Sequence, residues 1–274
     1  MKVPAYFTAD FSFAPAKHST SARERLFDSV TSLLASLHKN GQTYGRELMV
    51  WRDGKLHALC YVPRPDSLSP EYFSAWARDD YDQLLALLAE PPTSRILDDG
   101  PIPKRFPKWQ AAPTLCLVTD FLDITSPVCS EPDGRAVPLY TLPLTDSQKE
   151  GIVFWQAEHN AMEELWIGSR ELEIPTYRQM ADPHSGLSER GRAICRDIEA
   201  ATGKPTYYYL MRYWGRKEGE DRRLCPGCGK PWATGVTYTA FFDFAFRCDH
   251  CRLVSHEGID TDDERHARIG EWHG

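Results

Sequence analysis

Residues 224–232 read LCPGCGKPW and residues 246–253 read FRCDHCRL, so each stretch carries one Cys-x-x-Cys pair. Nineteen positions, residues 229–247, separate the two pairs, a spacing typical of four-cysteine zinc sites. Thiolates bind zinc as a tetrahedron, and a two-residue spacer lets one tight turn present two sulfur atoms. Gly227 and Gly229 give the first turn its backbone freedom. The sequence therefore predicts a C-terminal zinc ribbon with one Zn²⁺ held by Cys225, Cys228, Cys248 and Cys251.

Other interpretations of the cysteines account for less of the pattern. A thioredoxin-like redox pair would explain the first Cys-x-x-Cys but leaves the second unexplained. His250 or His256 could replace one thiolate. Since four protein ligands leave no position open for water, we expect the zinc to be structural and not catalytic. Of the remaining cysteines, Cys60, Cys116 and Cys195 are expected in the core. Cys129 is expected in a loop, as a free thiol.

The bulk composition is that of a globular protein of 274 residues, with 42% hydrophobic and 26% charged residues. No apolar run is long enough to span a membrane, and the N-terminal residues lack the apolar segment of a signal peptide. With no such signal and a metal-like cysteine pattern, we expect a cytoplasmic protein. The formal net charge of −7 argues against a broad nucleic-acid surface, because proteins that bind phosphates widely are normally basic.

Residues 1–125 alternate between strand and helix patterns. Residues 6–13 alternate, with Phe7, Ala9, Phe11 and Phe13 on one face. A helix with a Ser21–Glu24 capping box follows, and its apolar stripe comprises Leu26, Phe27, Val30, Leu33, Leu34 and Leu37. Next come a hairpin turning at Asp53-Gly54 and a helix opened by Ser69-Pro70. The last strand is predicted at 94–99 or, more strongly, at 114–122. This βαββαβ order predicts a ferredoxin-like sheet.

The rest of the chain divides by pattern into three further regions. Residues 137–215 are predicted to be mainly helical, with a Thr145–Gln148 capping box, a helix ending at Gly203 and an aromatic strand at 205–214. Residues 222–256 form the zinc ribbon, in which residues 237–248 alternate as a strand does. Residues 257–274 form an acidic tail, with six carboxylates against two arginines. The predicted class is α+β.

Cations and aromatic rings near the ribbon form a candidate binding surface. Arginines beside rings on a strand are what single-stranded nucleic acids use for phosphate contact and stacking. The alternative is that the rings form the core of a small domain, and that Glu218, Glu220 and Asp221 interrupt the basic run. The candidate residues are Arg212, Arg216, Lys217, Arg222, Arg223, Trp232, Arg247 and Arg252.

Two further groups resemble catalytic constellations. His159 and Glu163 lie one helical turn apart and are either half of a carboxylate–histidine metal site or, as we prefer, a solvated helix face. Asp182 and His184 precede Ser185, but no nucleophile elbow surrounds this serine, so a turn before a helix is preferred. No phosphate loop or dinucleotide fingerprint is present. We therefore expect no catalytic residues and no small-molecule substrate.

Several stretches resemble one bacterial zinc-ribbon family, the domain of unknown function DUF2310, for which nucleic-acid binding has been suggested. The resemblance lies in residues 155–168 (WQAEHNAMEELWIG), in 187–216 with its ATGKPTYYYL segment, and in the CPGCG and CDHC knuckles. Residues 40–68 are also similar, so the resemblance extends over nearly the whole chain. It implies the same four zinc ligands and carries over no catalytic residue.

These observations predict a non-enzymatic binding protein. The first hypothesis is a partner of nucleic acid or nucleoprotein that uses the ribbon and its arginines. The alternative is a protein partner: an immunity protein that binds and neutralises a basic bacterial toxin, for which the acidic tail is suited. A hydrolase using His159 with Glu163, or Asp182 with His184, ranks last. No membrane association is expected.

Overall fold

The computed structural model describes residues 5–98, 100, 102, 103, 106, 108–131, 133–236 and 238–272. The chain divides into two compact units. Unit 1 comprises Met1–Pro107, Ile124–Ser126 and Pro138–Val153, and unit 2 comprises Lys108–Asp123, Pro127–Val137 and Phe154–Gly274. Within the described ranges, no helix is both long enough and apolar enough to cross a membrane.

Unit 1 contains a four-stranded sheet, two complete helices and the start of a third. Its elements are β1 (Phe7–Phe13), α1 (Thr20–Lys39), β2 (Tyr44–Arg52), β3 (Lys55–Val62), α2 (Ala75–Leu85) and β4 (Thr93–Ile96). The strands lie in the order β2-β3-β1-β4, and every neighbouring pair is antiparallel. Asp53 and Gly54, both with positive φ, form the turn between β2 and β3, as the sequence predicts.

One face of this sheet packs against α1. Phe7, Ala9, Phe11 and Phe13 are buried, which confirms the predicted alternation of β1. Burial of each of the three phenylalanines contributes about 1.5–3 kcal/mol. The predicted stripe of α1 is also buried, except that Phe27 is 40% exposed.

The two helices of unit 1 begin at different caps from those predicted. Helix α1 starts one residue after Ser19, whose Oγ accepts the Ala22 N–H, and not at a Ser21 capping box. Helix α2 is capped by Ser74, which accepts the Ala77 N–H. Residues after Ser69 form only a 3₁₀ turn.

The fourth strand of this sheet is β4, and not the segment 114–122 that the sequence analysis favours. Ile96 pairs with Ala9 of β1, whereas residues 114–117 form a strand of unit 2. The sequence shows the reason in retrospect. Leu115, Cys116 and Leu117 are all buried, a continuous apolar run that suits a strand covered on both faces. The mostly exposed β4 suits an edge.

Unit 2 is built on a six-stranded sheet. The elements are β5 (Thr114–Leu117), β6 (Val128–Glu131), β7 (Arg135–Ala136), α3 (Asp146–Gly168), α4 (Glu173–Ala181), α5 (Gly186–Thr202), β8 (Thr206–Tyr209), β9 (Trp214–Gly215), β10 (Phe246–Cys248), β11 (Leu253–Ser255), β12 (Ile259–Asp260) and α6 (Glu264–Ala267). The strands of the sheet run in the order β10-β11-β8-β5-β6-β7, with β11, β8 and β5 parallel. Helix α3 begins in unit 1 and continues in unit 2.

Several local predictions in this unit need correction. The strand expected at 237–248 is limited to β10, because the Asp243 carboxylate accepts the N–H groups of Thr239 and Ala240 and fixes a turn there. Position 237 lies outside the described residues. The strand expected at 205–214 divides into β8 and β9. Cys129 lies buried in β6 and not in a loop, and burial raises the pKa of its thiol.

Helix α3 begins as predicted. The Thr145 Oγ1 accepts the Gln148 N–H at 3.3 Å, and the Gln148 Oε1 accepts the Thr145 N–H at 3.0 Å. This reciprocal pair is a capping box.

Helix α5 packs closely on β8 at a glycine. A Cβ on Gly191 would lie 2.2 Å from Cε2 of Tyr208, a fully buried ring, and 3.0 Å from Nε1 of Trp155. The helix ends at Gly203, whose φ of 68° closes it in the left-handed conformation, as the sequence predicts.

We expect Gly191→Ala to destabilise the protein despite the better helix propensity of alanine. Overpacking costs about 1–3 kcal/mol, against a propensity gain of about 1 kcal/mol, and the clash with a fixed ring places this site at the upper end. Gly151→Ala in α3, where nothing lies within 4 Å, is the matched control and should be neutral or stabilising. Urea unfolding measures both; equal effects of the two substitutions would contradict this account of the packing.

Candidate metal centre

Four cysteine sulfurs converge at the ribbon. The Sγ atoms of Cys225, Cys228, Cys248 and Cys251 all lie within 4.8 Å of one another, and those of Cys228 and Cys248 are 3.7 Å apart. A zinc–sulfur distance of about 2.3 Å in a tetrahedron gives sulfur–sulfur edges of about 3.8 Å. The four cysteines could therefore bind one metal ion.

The first knuckle is a tight turn shaped by backbone hydrogen bonds. The Gly229 N–H donates to the Cys225 carbonyl at 2.8 Å, and the Cys225 N–H donates to the Lys230 carbonyl at 2.9 Å. Gly229 has a φ of 66°, which favours glycine. A Cβ on Gly227 would lie 2.9 Å from the Cys251 Sγ. Both glycines are thus needed for the sulfurs to converge.

The donor set also has a chemical preference. Thiolates are soft ligands that select zinc and similar ions. Burial raises the pKa of the Cys251 thiol to about 12, so a bound ion would have to displace protons and its affinity would rise with pH. His250 is exposed, and the His256 ring packs against Tyr209 and Phe244, so neither histidine belongs to the cysteine group.

Two members of the predicted binding surface belong instead to the core of the ribbon. Arg223 is buried, with its guanidinium 4.5 Å from the Trp232 ring centroid and 4.1 Å from that of Phe246. Its Nη2 donates to the Ser255 Oγ at 2.7 Å. Trp232 is also buried and donates from Nε1 to the Arg223 carbonyl. Neither is available to a partner.

A third member, Arg212, is the centre of a buried ion-pair network. Its Nε and Nη2 donate to the two carboxylate oxygens of Glu220 at 2.8 and 2.7 Å. Its Nη1 donates to the Ile269 carbonyl at 3.0 Å, and its Nη2 lies 3.3 Å from Glu271. Arg216 donates from Nε to the same Glu271 at 2.6 Å.

The predicted acidic tail packs against the rest of unit 2. Residues 257–272 fold back onto unit 2: β12 pairs with β9, and Ile269 packs against Tyr177. The Trp272 indole covers the first knuckle, where a Cβ on Gly229 would lie 2.7 Å from it. The segment is thus part of the fold and not a free tail.

The other predicted cations are mostly matched by carboxylates. Arg247 lies 2.8 Å from Glu131 and above the Tyr207 ring. Arg252 pairs with both oxygens of Glu199, and Lys217 pairs with Asp262. Arg222 has the most exposed side chain of the set, at 80%. The seven predicted cations therefore do not form one continuous unpaired surface.

The prediction of a solvated helix face at His159 and Glu163 is wrong. His159 is 4% exposed, and its Nδ1, 3.9 Å from the Glu163 Oε2, has no hydrogen-bond partner among the described residues. The Glu163 Oε2 accepts the Phe121 N–H at 2.9 Å. The loop after β5 contacts this face, which a helical pattern alone does not reveal.

Burial shifts both groups towards their neutral forms. It lowers the pKa of His159 to about 4. It raises the pKa of Glu163 to about 7, with a smaller contribution from the charge of Asp120. Burial disfavours the charged form of each group, which accounts for the opposite directions.

Asp182 and His184 form a turn, as preferred from the sequence. The Asp182 Oδ1 accepts the His184 N–H at 2.8 Å, and Ser185 caps α5 by accepting the Ser188 N–H. The side chains of Asp182 and His184 form no hydrogen bond with each other in the described part of the chain.

The buried pair predicts a specific pH dependence. Because the pKa of His159 is lower in the folded state, its contribution to stability falls as the pH drops from 6.5 towards 4. Because the pKa of Glu163 is higher in the folded state, its contribution falls as the pH rises from 4.5 towards 7. The two oppose each other in the native protein.

We expect Glu163→Gln, which keeps an acceptor for the Phe121 N–H, to leave only the His159 contribution. The variant should lose stability relative to the native protein as the pH falls from 6.5 to 4, by about 1–3 kcal/mol. Urea unfolding at several pH values measures the difference. Parallel curves for variant and native protein would contradict the prediction.

Comparison with known proteins identifies the relatives of the chain. A family model described as Domain of unknown function (DUF2310) matches residues 109–211, and two further domains of unknown function, DUF8589 and DUF8594, match residues 6–98 and 215–261. The region of the DUF2310 model is thus narrower than the resemblance over nearly the whole chain described above.

Two proteins of Haemophilus influenzae, both described as uncharacterized, are similar to this chain. One is 30% identical over 267 residues, covering 89% of this chain and 95% of the relative. The other is 38% identical over 152 residues, covering 54% and 71%. Among solved structures, Rv0793 from Mycobacterium tuberculosis is 14% identical, covers 35% of this chain and 96% of its own, and has a TM-score of 0.28. At that score the likeness supports no conclusion.

Proposed function

The chain belongs to the DUF2310 family, and we propose that it is a non-enzymatic binding protein whose ribbon is held by one structural zinc ion. The convergence of the four sulfurs within 4.8 Å is the observation that carries the proposal. Zinc is favoured over other ions by four soft, negatively charged ligands in a tetrahedral arrangement. With all four positions taken by protein, the ion has none for a catalytic water.

We also propose that unit 1 has a ferredoxin-like arrangement. The support is its element order, β-α-β-β-α-β, together with the antiparallel strand order β2-β3-β1-β4.

We expect the purified protein to contain one zinc per chain and Cys228→Ser to lose it, with a large loss of stability, because metal binding and folding of the ribbon are coupled. Cys60→Ala, which alters a buried cysteine of unit 1, is the control and should keep its zinc. Metal analysis by mass spectrometry decides the matter. Well under one zinc per native chain would reject the proposal.

The partner that we propose is a basic protein. Support comes from charge: the net charge is −7, and the arginines around the ribbon are occupied by carboxylates within unit 2. Further support comes from apolar exposure beside the ribbon. Tyr238 is 63% exposed, Val236 49% and Phe241 41%. Aromatic side chains are enriched at protein interfaces and often supply much of their binding energy.

Single-stranded nucleic acid is the second candidate. The observation that favours it is the same pair of exposed rings, Tyr238 and Phe241, on which bases could stack, together with the exposed Arg222. An immunity function is one form of the first candidate, and it requires that the basic partner be a toxin.

We expect the Tyr238→Ser/Phe241→Ser double variant to lose a basic partner that the native protein retains from a lysate of its source cells. Leu122→Ser, which removes a 76% exposed apolar side chain from another loop of unit 2, should retain that partner. Mass spectrometry identifies the retained proteins. Identical sets from all three proteins would contradict the proposed surface. Binding of a labelled single-stranded oligonucleotide at low salt, lost on Arg222→Glu, would favour the second candidate instead.

A further inference from the structure

A cleft of about 330 Å³ lies between α5 and the zinc-ribbon knuckles, entirely within unit 2. The helix contributes Arg192, Arg196 and Glu199, and the knuckles contribute His250 and Arg252. We call this the α5 cleft. Its size is at the lower end of the range of small-molecule sites, about 300–1,000 Å³. Arg192 and Arg196 are absent from the binding surface that the sequence analysis predicts.

Two of the three arginines that line the α5 cleft are not balanced by carboxylates among the described residues. Arg252 is matched by Glu199, with Nε–O and Nη2–O distances of 3.0 and 2.9 Å. In the described part of the chain, neither Arg192 nor Arg196 has a carboxylate partner. This sets them apart from Arg212, Arg216 and Arg247, which all form ion pairs.

Arg192 and Arg196 are also placed against each other. They lie four residues apart on α5, a spacing at which like charges destabilise a helix. The Nη1 of Arg192 donates to the Pro183 carbonyl at 3.3 Å, whereas its Nε is buried with no acceptor among the described residues. Guanidinium groups are donors only, so a ligand held by the two arginines must offer acceptor oxygens; the Arg192 Nε itself is closed to solvent and lies beyond the reach of such a ligand.

We propose that the α5 cleft binds the phosphate group of a phosphorylated molecule, with Arg192 and Arg196 as its ligands and His250 at the rim. Phosphate carries up to two charges and three terminal acceptor oxygens, so it can engage two guanidinium groups together. A carboxylate has one charge and two oxygens and would satisfy the pair less completely. The site is separate from the exposed rings at Tyr238 and Phe241 and does not depend on the proposed protein partner.

One other role would explain the same two arginines. Cys251 also lines the α5 cleft, and a zinc ion with four thiolates has a formal charge of −2, which nearby guanidinium groups would stabilise. In that case the arginines serve zinc retention and the cleft has no phosphate ligand. The two roles differ in what Arg196→Ala changes.

The test is calorimetric titration of the full zinc-loaded chain in phosphate-free buffer, with orthophosphate and AMP as probes. We expect saturable binding and at least tenfold weaker binding by Arg196→Ala, because the variant loses charge-assisted hydrogen bonds to the phosphate oxygens. Arg196 is exposed, so this variant should fold normally. Arg170→Ala, which removes an exposed arginine outside the α5 cleft, should bind as the native protein does.

Two further probes identify the source of the phosphate. Adenosine should not bind, since it lacks the group that the arginines recognise. If oligothymidylate binds more tightly than AMP and still depends on Arg196, the phosphate belongs to a nucleic acid; equal binding assigns it to a small molecule. The proposal is overturned if neither orthophosphate nor AMP saturates the native protein, or if Arg196→Ala binds both as tightly. Loss of zinc by Arg196→Ala without any phosphate binding would assign the pair to the thiolate cluster.

Discussion

The buried pairing of Arg212 with Glu220 and Glu271 is the interaction on which the C-terminal half of unit 2 depends. Glu220 precedes the first knuckle, and Glu271 lies in the last described segment, so one guanidinium holds both ends of the ribbon region. Removing one partner from such a network costs about 3–5 kcal/mol, because it leaves an uncompensated buried charge. Because Arg212 is buried in these ion pairs, it is unavailable to any ligand. The ion pairs that stabilise the ribbon region therefore remove cations from its surface.

Secondary-structure elements are predicted well from the sequence where a single hydrophobic periodicity defines them. They are predicted poorly where their assignment depends on pairing with a segment far along the chain. The alternation of β1 and the stripe of α1 follow directly from residue order, as does the Asp53-Gly54 turn. The assignment of the last strand of unit 1 failed because β4 and β5 both satisfy a strand pattern. Only burial distinguishes the edge strand from the doubly covered one.

The candidate site shows the same contrast between features set by local sequence and features set by remote partners. The cysteine cluster is predicted correctly because its spacing is local to each knuckle. The cationic surface is not, because the carboxylates that neutralise it lie far along the chain: 59 residues separate Arg212 from Glu271, and 116 separate Arg247 from Glu131. Local sequence patterns do not reveal such long-range ion pairs. A group of arginines that are close in sequence therefore predicts more unpaired positive charge than the folded protein presents.

The polar groups of unit 2 that lack a partner within the described ranges indicate a ligand site better than the number of arginines before the ribbon does. Burial shifts the pKa values of Glu163 and His159 towards their neutral forms, which lowers the cost of burying them, even though the His159 Nδ1 has no hydrogen-bond partner among the described residues. An arginine lacks that option, since its guanidinium stays charged across the physiological range. Arg192 and Arg196 therefore keep two like charges one turn apart, with no carboxylate between them in the described ranges. An anion from outside the chain would balance both charges, as would the thiolates of an occupied zinc site, so the α5 cleft, and not the run of arginines before the ribbon, is where a charged ligand would complete this fold.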